Sequence, residues 1–250
     1  MSIIEQARDK VRKLCVEKGF DERAELVSVR TLTAEQAIGT YVSKAPMQIK
    51  TGVEKVLEAD FRGSKGHTFT TSPEPFTGTL WEVFQLPLDA PVNRAIFACT
   101  LNAIVRFYGL ASDTMHCRDD GPEKCAKAML GWIIAKHGKV KVGVVGFQPA
   151  IVQRLAASLS SKMVRVTDLN SSLIGMVRGD VEIWDAEVAT DKVAGWCDVG
   201  LITGSSITNG TIDDLIDTFK SCQKPYYFYG VSHSGASALL GLPRLCFRGR

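Results

Sequence analysis

Val140-Lys-Val-Gly143-Val-Val145-Gly146-Phe-Gln-Pro149 is a near-continuous apolar run that turns through glycine into proline. Only Lys141 interrupts residues 140–145, the pattern of a parallel strand covered on both faces rather than of a strand with one wet face. Proline at a first helical position gives up no hydrogen bond, so Pro149 opens a helix, with Ile151, Val152, Leu155 and Leu159 on one side of it. The same grammar continues downstream. Residues 163–167 and 199–202 read as strands, Ile212, Leu215, Ile216 and Phe219 mark a helix, 226–229 is a further strand, and 245–247 a short last one. Strands alternating with helices imply right-handed crossovers and a parallel sheet, a Rossmann-like α/β unit.

Upstream the grammar differs. Ile3, Ile4, Ala7, Val11, Leu14 and Cys15 recur at helical spacing, and Gly19 can end that helix. Residues 26–32 and 38–42 are short and rich in β-branched or aromatic side chains, which predicts two strands and a hairpin between them. Residues 44–79 are rich in Gly, Lys, Ser and Thr and give no clear pattern; Lys50, Lys55, Arg62 and Lys65 read as a solvated face. Pro91 opens a second helix, with Val92, Ile96, Cys99, Ala103 and Phe107 on one face and Gly109 as its stop. A polar loop at 111–122 precedes a third helix at 123–137, capped by Gly138. The boundary falls within 111–139 and divides the chain into an α+β domain, 1–115, and a Rossmann-like domain, 116–250.

The bulk properties exclude more than they specify. A formal charge of +3 on 250 residues is too small to argue for nucleic acid or a membrane surface. No apolar run is long enough to span a bilayer, and residues 1–20 lack the apolar block of a secretory signal. The 7 cysteines are odd in number and scattered, which reads as free thiols in a reducing cytoplasm.

The candidate site lies at the strand ends. Gly143 and Gly146 would let a ligand approach the backbone beside a helix N-terminus, although G-x-G-x-x-G is not complete. A tight turn without a ligand explains the glycines equally well. Asp168 and Asn170 end the next strand, roughly 20 residues on, where an acid in such folds can accept from a diol; a simple Asx-turn is the alternative. Thr203-Gly204-Ser205-Ser206-Ile207-Thr208-Asn209-Gly210-Thr211 concentrates hydroxyls, an amide and glycines at one strand end, with Thr211 and Asp214 fitting a capping box. Gly230-Val-Ser232-His233-Ser234-Gly235 adds hydroxyls and an imidazole after the following strand; a solvated loop histidine is its commonest explanation. No G-x-S-x-G elbow is present. Asp113, His116 and Cys117 form a candidate soft-metal set at the domain junction, set against the plainer reading of a polar linker.

Three of these stretches together are familiar. Asn93-Arg-Ala-Ile-Phe-Ala-Cys-Thr-Leu-Asn102-Ala, Val142-Gly-Val-Val-Gly146-Phe, and Leu201-Ile-Thr-Gly204-Ser-Ser-Ile-Thr-Asn209-Gly210-Thr211 resemble the family described as putative heavy-metal chelation, long a domain of unknown function. The last resembles that family's T-G-T-T-L-x-N-G-T run, with Ser205 and Ser206 in place of threonines; Val231-Ser232-His233 departs from its G-P-S-T. The resemblance implies an enolase-N-terminal-like domain followed by a Rossmann-like one. It also implies a cleft that binds or processes a pterin-, flavin- or siderophore-like molecule linked to heavy-metal handling. Carried onto this sequence, its ligand-binding residues would be Asn93, Asn102, Gly143, Gly146, Asp168, Gly204, Ser205, Ser206, Asn209 and Ser232, joined by Asn170 from the strand-end reading.

The leading expectation is therefore a cytoplasmic protein that takes a small heterocycle or metal chelate, with a heavy or transition metal ion as the cofactor to look for. As an enzyme it would carry out condensation or hydrolysis, with His233, His116 or Asp168 moving protons. The alternatives are a transferase or oxidoreductase using S-adenosylmethionine or NAD, and a non-catalytic metal-chelate carrier built on Asp113, His116 and Cys117. The expected partner is the small molecule, with no nucleic acid and no membrane; a homodimer is compatible with the layout, though no exposed stripe argues for one.

Overall fold

The computed structural model describes residues 1–39 and 54–250. It contains two sheets. The first is antiparallel, in the order β3-β2-β1-β4, from β1 (Leu26–Leu32), β2 (Lys55–Phe61), β3 (Ser64–Thr70) and β4 (Phe76–Thr79). The second has the order β11-β10-β9-β5-β6-β8-β7. Its strands are β5 (Val142–Val145), β6 (Val164–Asp168), β7 (Val177–Arg178), β8 (Val181–Asp185), β9 (Val199–Thr203), β10 (Tyr226–Tyr229) and β11 (Arg244–Leu245). All of its pairings are parallel except the β7–β8 edge hairpin. The chain is thus a small α+β unit followed by a Rossmann-like parallel-sheet unit.

Local chemistry explains the elements. Helix α1 (Ile3–Glu17) starts in a capping box, where Ser2 and Glu5 bond each other's backbone amide. Its inward stripe is Ile4, Ala7, Val11 and Cys15. The hairpin expected over 26–42 is not formed. Thr33 and Gln36 make a second capping box, which turns the chain into a short helix, α2 (Ala34–Ile38), so Ile38 ends a helix instead of starting a strand. Residues 40–42 and Lys50 lie outside the described residues. β1 pairs with β2 and β4 instead, and both come from the stretch that gave no clear pattern.

The β2–β3 turn, Arg62-Gly63, has φ of 52° and 80°, the left-handed pair a two-residue hairpin demands. Asp60 accepts from the Gly63 amide at 2.8 Å and steadies it. Its basic residues are only partly a solvated face: Arg62 pairs with Glu25, and Lys65 with the buried Glu58.

A third capping box, Thr79 with Glu82, starts α3 (Leu80–Gln85). Helix α4 (Pro91–Phe107) is buried at every position from Arg94 to Val105. It packs on β2 and β3 on one side and on helices of the second unit on the other. Phe97, Leu101 and Ile104 consequently belong to the same apolar cluster as Val145, Ile202, Phe219 and Phe228 of the second unit. A residue such as Phe97, fully buried, contributes roughly 1.5–3 kcal/mol through its apolar surface. Much of that stabilisation holds the two units together.

Helix α5 (Gly121–His137) ends in Gly138 as expected, and its apolar side meets the other face of the parallel sheet. α6 (Pro149–Leu159) follows β5, and α7 (Ala186–Trp196) follows β8. After β9 the chain makes a one-turn helix, α8 (Ser206–Asn209), passes through Gly210 in the left-handed region, and enters α9 (Ile212–Ser221). This route overturns the capping box expected at Thr211. Thr211 is already helical in its backbone, and its side chain makes no cap bond. The last helix is α10 (Ser234–Leu240). No helix among the described residues is long and apolar enough to cross a membrane.

Candidate functional site

In the strand order of the second sheet, β5 lies between β9 and β6. Chain succession runs outward in both directions from there, so the loops after β5 and β9 part and leave a crevice, the place where open α/β sheets bind ligands. A cleft of about 160 Å³, open to solvent at its mouth, occupies that position. Its floor is Val145, Gly146 and Phe147 after β5, Asp168 and Leu169 after β6, Thr203, Gly204 and Ser205 after β9, and Tyr229, Gly230, Val231 and Ser232 after β10. Glu54, Phe69 and His116 close it from the first unit and the junction.

Gly146, with φ of 91°, is fixed by its amide bonding the Thr167 carbonyl at 2.8 Å. A Cβ there would lie 2.7 Å from Thr203, so glycine is required on both counts. Asp168 stands at the end of β6, where one oxygen accepts from the Phe147 amide at 2.6 Å and the other from the Asn170 amide at 2.7 Å. It therefore clamps the β5 turn to the β6 turn as well as lining the cleft. Tyr229 donates to the Gly146 carbonyl and, buried, keeps its phenol protonated far above the usual range.

The acid–base groups were only partly foreseen. Glu54, which sequence reasoning passed over, is raised to about 7 by burial and by the Asp168 charge beside it. Nothing in its neighbourhood, Gly-Val-Glu-Lys, marks it; only the approach of β2 to the cleft does. His116 is lowered to about 4 by burial first and by His67 second. Its Nδ1 is buried without a partner among the described residues, and its ring meets Phe69 edge-on at 5.1 Å. The main-chain amide of His116 donates to Nδ1 of His67 at 3.2 Å, while His67 Nε2 faces Glu58 at 3.0 Å. Glu58 is held near 2, first by His67 and then, against burial, by Arg30 and Lys65.

The structure does not bring every candidate to the cleft. Gly143 faces α7: a Cβ there would stand 2.8 Å from Val193 and 3.0 Å from Cys197, so this glycine serves helix–sheet packing. Asn93 donates to the Pro87 carbonyl before its own helix and is not a lining residue. Asn102, fully buried, donates to the carbonyls of His67, Val231 and Ser232 and accepts from the Gly235 amide, which uses its hydrogen-bonding capacity inside the protein. Asn170 closes a local turn onto Ser172. Ser206 donates to the Thr203 carbonyl and is buried beneath the loop.

His233 is fully buried under Phe228, 4.4 Å between ring centres, and both ring nitrogens lack a partner among the described residues. Burial, and then Arg244, pushes its pKa well down. Gly146, Asp168, Gly204, Ser205, Asn209, Ser232 and His116 do share the one cleft. The soft-metal set does not assemble. Asp113 is turned into an ion pair with Arg244, and among the described residues no three His, Cys, Asp or Glu side chains gather to hold an ion.

Residues 132–240 match the model of a family described as "Putative heavy-metal chelation", DUF364. That stretch is similar to a DUF364 domain. The matched residues run from within α5 to the end of α10 and contain the cleft floor. A crystal structure of a DUF364 protein of unknown function from Pyrococcus horikoshii is similar with a TM-score of 0.55 at 13% identity, covering 93% of this chain and 80% of that one. Another, from Desulfitobacterium hafniense DCB-2, has a TM-score of 0.46 at 17% identity, with 76% and 72% covered. No curated protein matches. At these identities the Pyrococcus likeness establishes the fold, and the chemistry is read from the cleft.

Proposed function

We propose that the protein binds a small heterocyclic or metal-chelating molecule, pterin-, flavin- or siderophore-like, in the DUF364 cleft. The observation that carries this reading is the cleft's mixed lining. Phe69, Phe147, Leu215 and Tyr229 offer flat apolar surface, while Ser205, Asn209, Gln148 and Glu54 offer hydrogen bonds at its edge. A planar, polar-edged molecule suits that combination. The metal in the family's description fits better as cargo of the organic ligand than as a resident ion, since the candidate protein ligands are dispersed.

Both Asp168 oxygens already accept main-chain amides, which weakens the nucleotide-cofactor alternative that leaned on this residue. If the cleft turns its ligand over, condensation or hydrolysis is the class its groups serve. Glu54 near 7 can give or take a proton at neutral pH, and His116, kept neutral by burial, can offer a ring nitrogen as a hydrogen-bond acceptor.

The test is native mass spectrometry of the purified full chain, followed by thermal-shift titration with pterins, flavins, ferric and cupric chelates, S-adenosylmethionine and NAD. The expected result is a shift with one of the first three classes that Ser205→Ala reduces. A shift confined to S-adenosylmethionine or NAD, or one untouched by Ser205→Ala and Glu54→Gln alike, would sink the proposal.

A further inference from the structure

One ring of the cleft belongs to the first unit but is aimed by the second. Alternation along β3 puts Gly66, Thr68 and Thr70 on the side of α4, where Gly66 lies against Cys99 and Ala103, and puts His67 and Phe69 on the opposite side. Phe69 pairs with Val56 across the β2–β3 ladder and packs on the small apolar cluster of Leu32, Ala37, Ile38 and Val56. Its amide donates to the Ser232 hydroxyl at 3.0 Å, and its carbonyl accepts from the Thr208 hydroxyl, also at 3.0 Å. The first hydroxyl stands in the loop after β10 and the second on α8, after β9. Both are buried, so the two strand-end segments of the second unit grip the Phe69 peptide from either side. The Phe69 ring lies 5.1 Å from that of His116, at 70° to it. Phe147, Leu215 and Tyr229 also line the cleft, but they are only 9%, 8% and 6% exposed. Phe69 is half-buried, and among the described phenylalanine and tyrosine rings of the cleft it keeps the most surface to offer.

We propose that Phe69 is the specificity-determining residue of the cleft: its ring takes a flat heteroaromatic ligand in aromatic contact and selects it over an aliphatic metal chelate of similar size. Phe69 has this role only if the cleft is the ligand site proposed above. Two aromatic rings attract through their quadrupoles as well as through the area they bury, and an aliphatic chelate receives only the second contribution. The first depends on ring position. The ladder to Val56, the apolar cluster and the two hydroxyls fix that position before a ligand arrives, so binding loses little side-chain freedom. Ser232 and Thr208 thereby act on the ligand through Phe69, as positioning residues, and Phe69 itself touches it.

The experiment titrates the full chain calorimetrically with two kinds of probe: lumazine and lumichrome, which are flat heteroaromatics, and ferric acetohydroxamate and ferric citrate, which are aliphatic chelates. The flat probes are expected to bind, and the chelates to bind at least about 5-fold more weakly, the scale of one aromatic pair. Phe69→Leu keeps apolar bulk without a ring. It should weaken the flat probes about 5-fold and leave the chelates unchanged. Phe69→Trp keeps a ring and should bind as the parent does. Bound lumichrome should quench the emission this variant adds more than that of the parent's 4 tryptophans, none of which lines the cleft among the described residues. That second variant decides the matter if Phe69→Leu fails to fold. Binding that Ser205→Ala weakens and Phe69→Leu leaves unchanged, chelates bound as tightly as the flat probes, or no added quenching in Phe69→Trp would overturn the role of Phe69 and leave the cleft reading standing. Binding of neither kind of probe, or binding that Ser205→Ala, Glu54→Gln and Phe69→Leu all leave unchanged, would overturn both.

Discussion

Two regions of this molecule carry nearly the same inventory of polar side chains, yet they do opposite things. One is the strand-end cleft, with Glu54, His116, Ser205 and Asn209. The other is the seam a few residues away, where Asn102, His233, Ser234 and Ser237 lie buried between α4 and α10. In the seam Asn102 bonds three carbonyls and one amide, and Ser234 donates to the Val231 carbonyl. Those two side chains hold the Val231–Gly235 loop against β3, while both His233 ring nitrogens and the Ser237 hydroxyl are buried without a partner among the described residues. In the cleft, hydroxyl and amide groups line open space. Polar residues gathered at a junction therefore do not mark a ligand site; what marks one is hydrogen-bonding capacity that faces open space.

That contrast can be broken in a graded way. Asn102→Ala should have the largest effect, about 3 kcal/mol or more of lost stability, since it strands several buried main-chain partners at once. Urea unfolding followed by circular dichroism reads this, and a loss below about 1 kcal/mol would remove the clamp from the argument. His116 should produce a pH effect of about 2 kcal/mol, discounted for its partial exposure. Its folded pKa of about 4 lies below the ordinary 6.5, so between those values the unfolded chain binds the proton more readily and stability falls as the pH falls. His116→Phe should flatten that acid slope, measured as the unfolding midpoint from pH 7 to pH 4.

Glu54 works in the other direction. Its folded pKa of about 7 exceeds the ordinary 4.5, so stability falls as pH rises through that window, and Glu54→Gln should recover on the order of 1 kcal/mol at pH 7.5. A variant no more stable than the parent there would show that burial does not hold the Glu54 proton. Ser205→Ala should be the mildest, changing stability by less than about 0.5 kcal/mol while weakening any cleft ligand by about 1 kcal/mol. A stability loss as large as that of Asn102→Ala would move Ser205 into the seam's class.

The same contrast explains what could be read before any coordinates. Residues 142–145, 199–202 and 226–229 are apolar because both faces of their strands are covered, and that requirement is written in the residues themselves. The convergence of Gly146, Asp168, Gly204 and Ser232 on one cleft follows from the parallel order of those strands. The β2–β3 hairpin was not legible because its turn is Arg62-Gly63 rather than the familiar Asn-Gly, and its strands carry Glu58, Lys65 and His67. Those charges are tolerated only because they pair with one another and with Arg30. α2 was misread because Ala34–Ile38 is short and ends beside a β-rich segment, so its Thr33–Gln36 box was the sole local signal.

By itself the sequence determined the parallel sheet, the main helices and the loops that meet at their ends, since periodicity and glycine placement act over a few residues. Only the tertiary structure decided which polar groups remain available. Asn102 and Asn209 are the same residue type, yet one is enclosed by a neighbouring loop and the other lines open space. The approach of Glu54 to the Asp168 charge is likewise absent from any local pattern. A side chain's free valences and proton affinity depend on what the rest of the chain packs around it, and that is set by contacts between residues far apart in sequence.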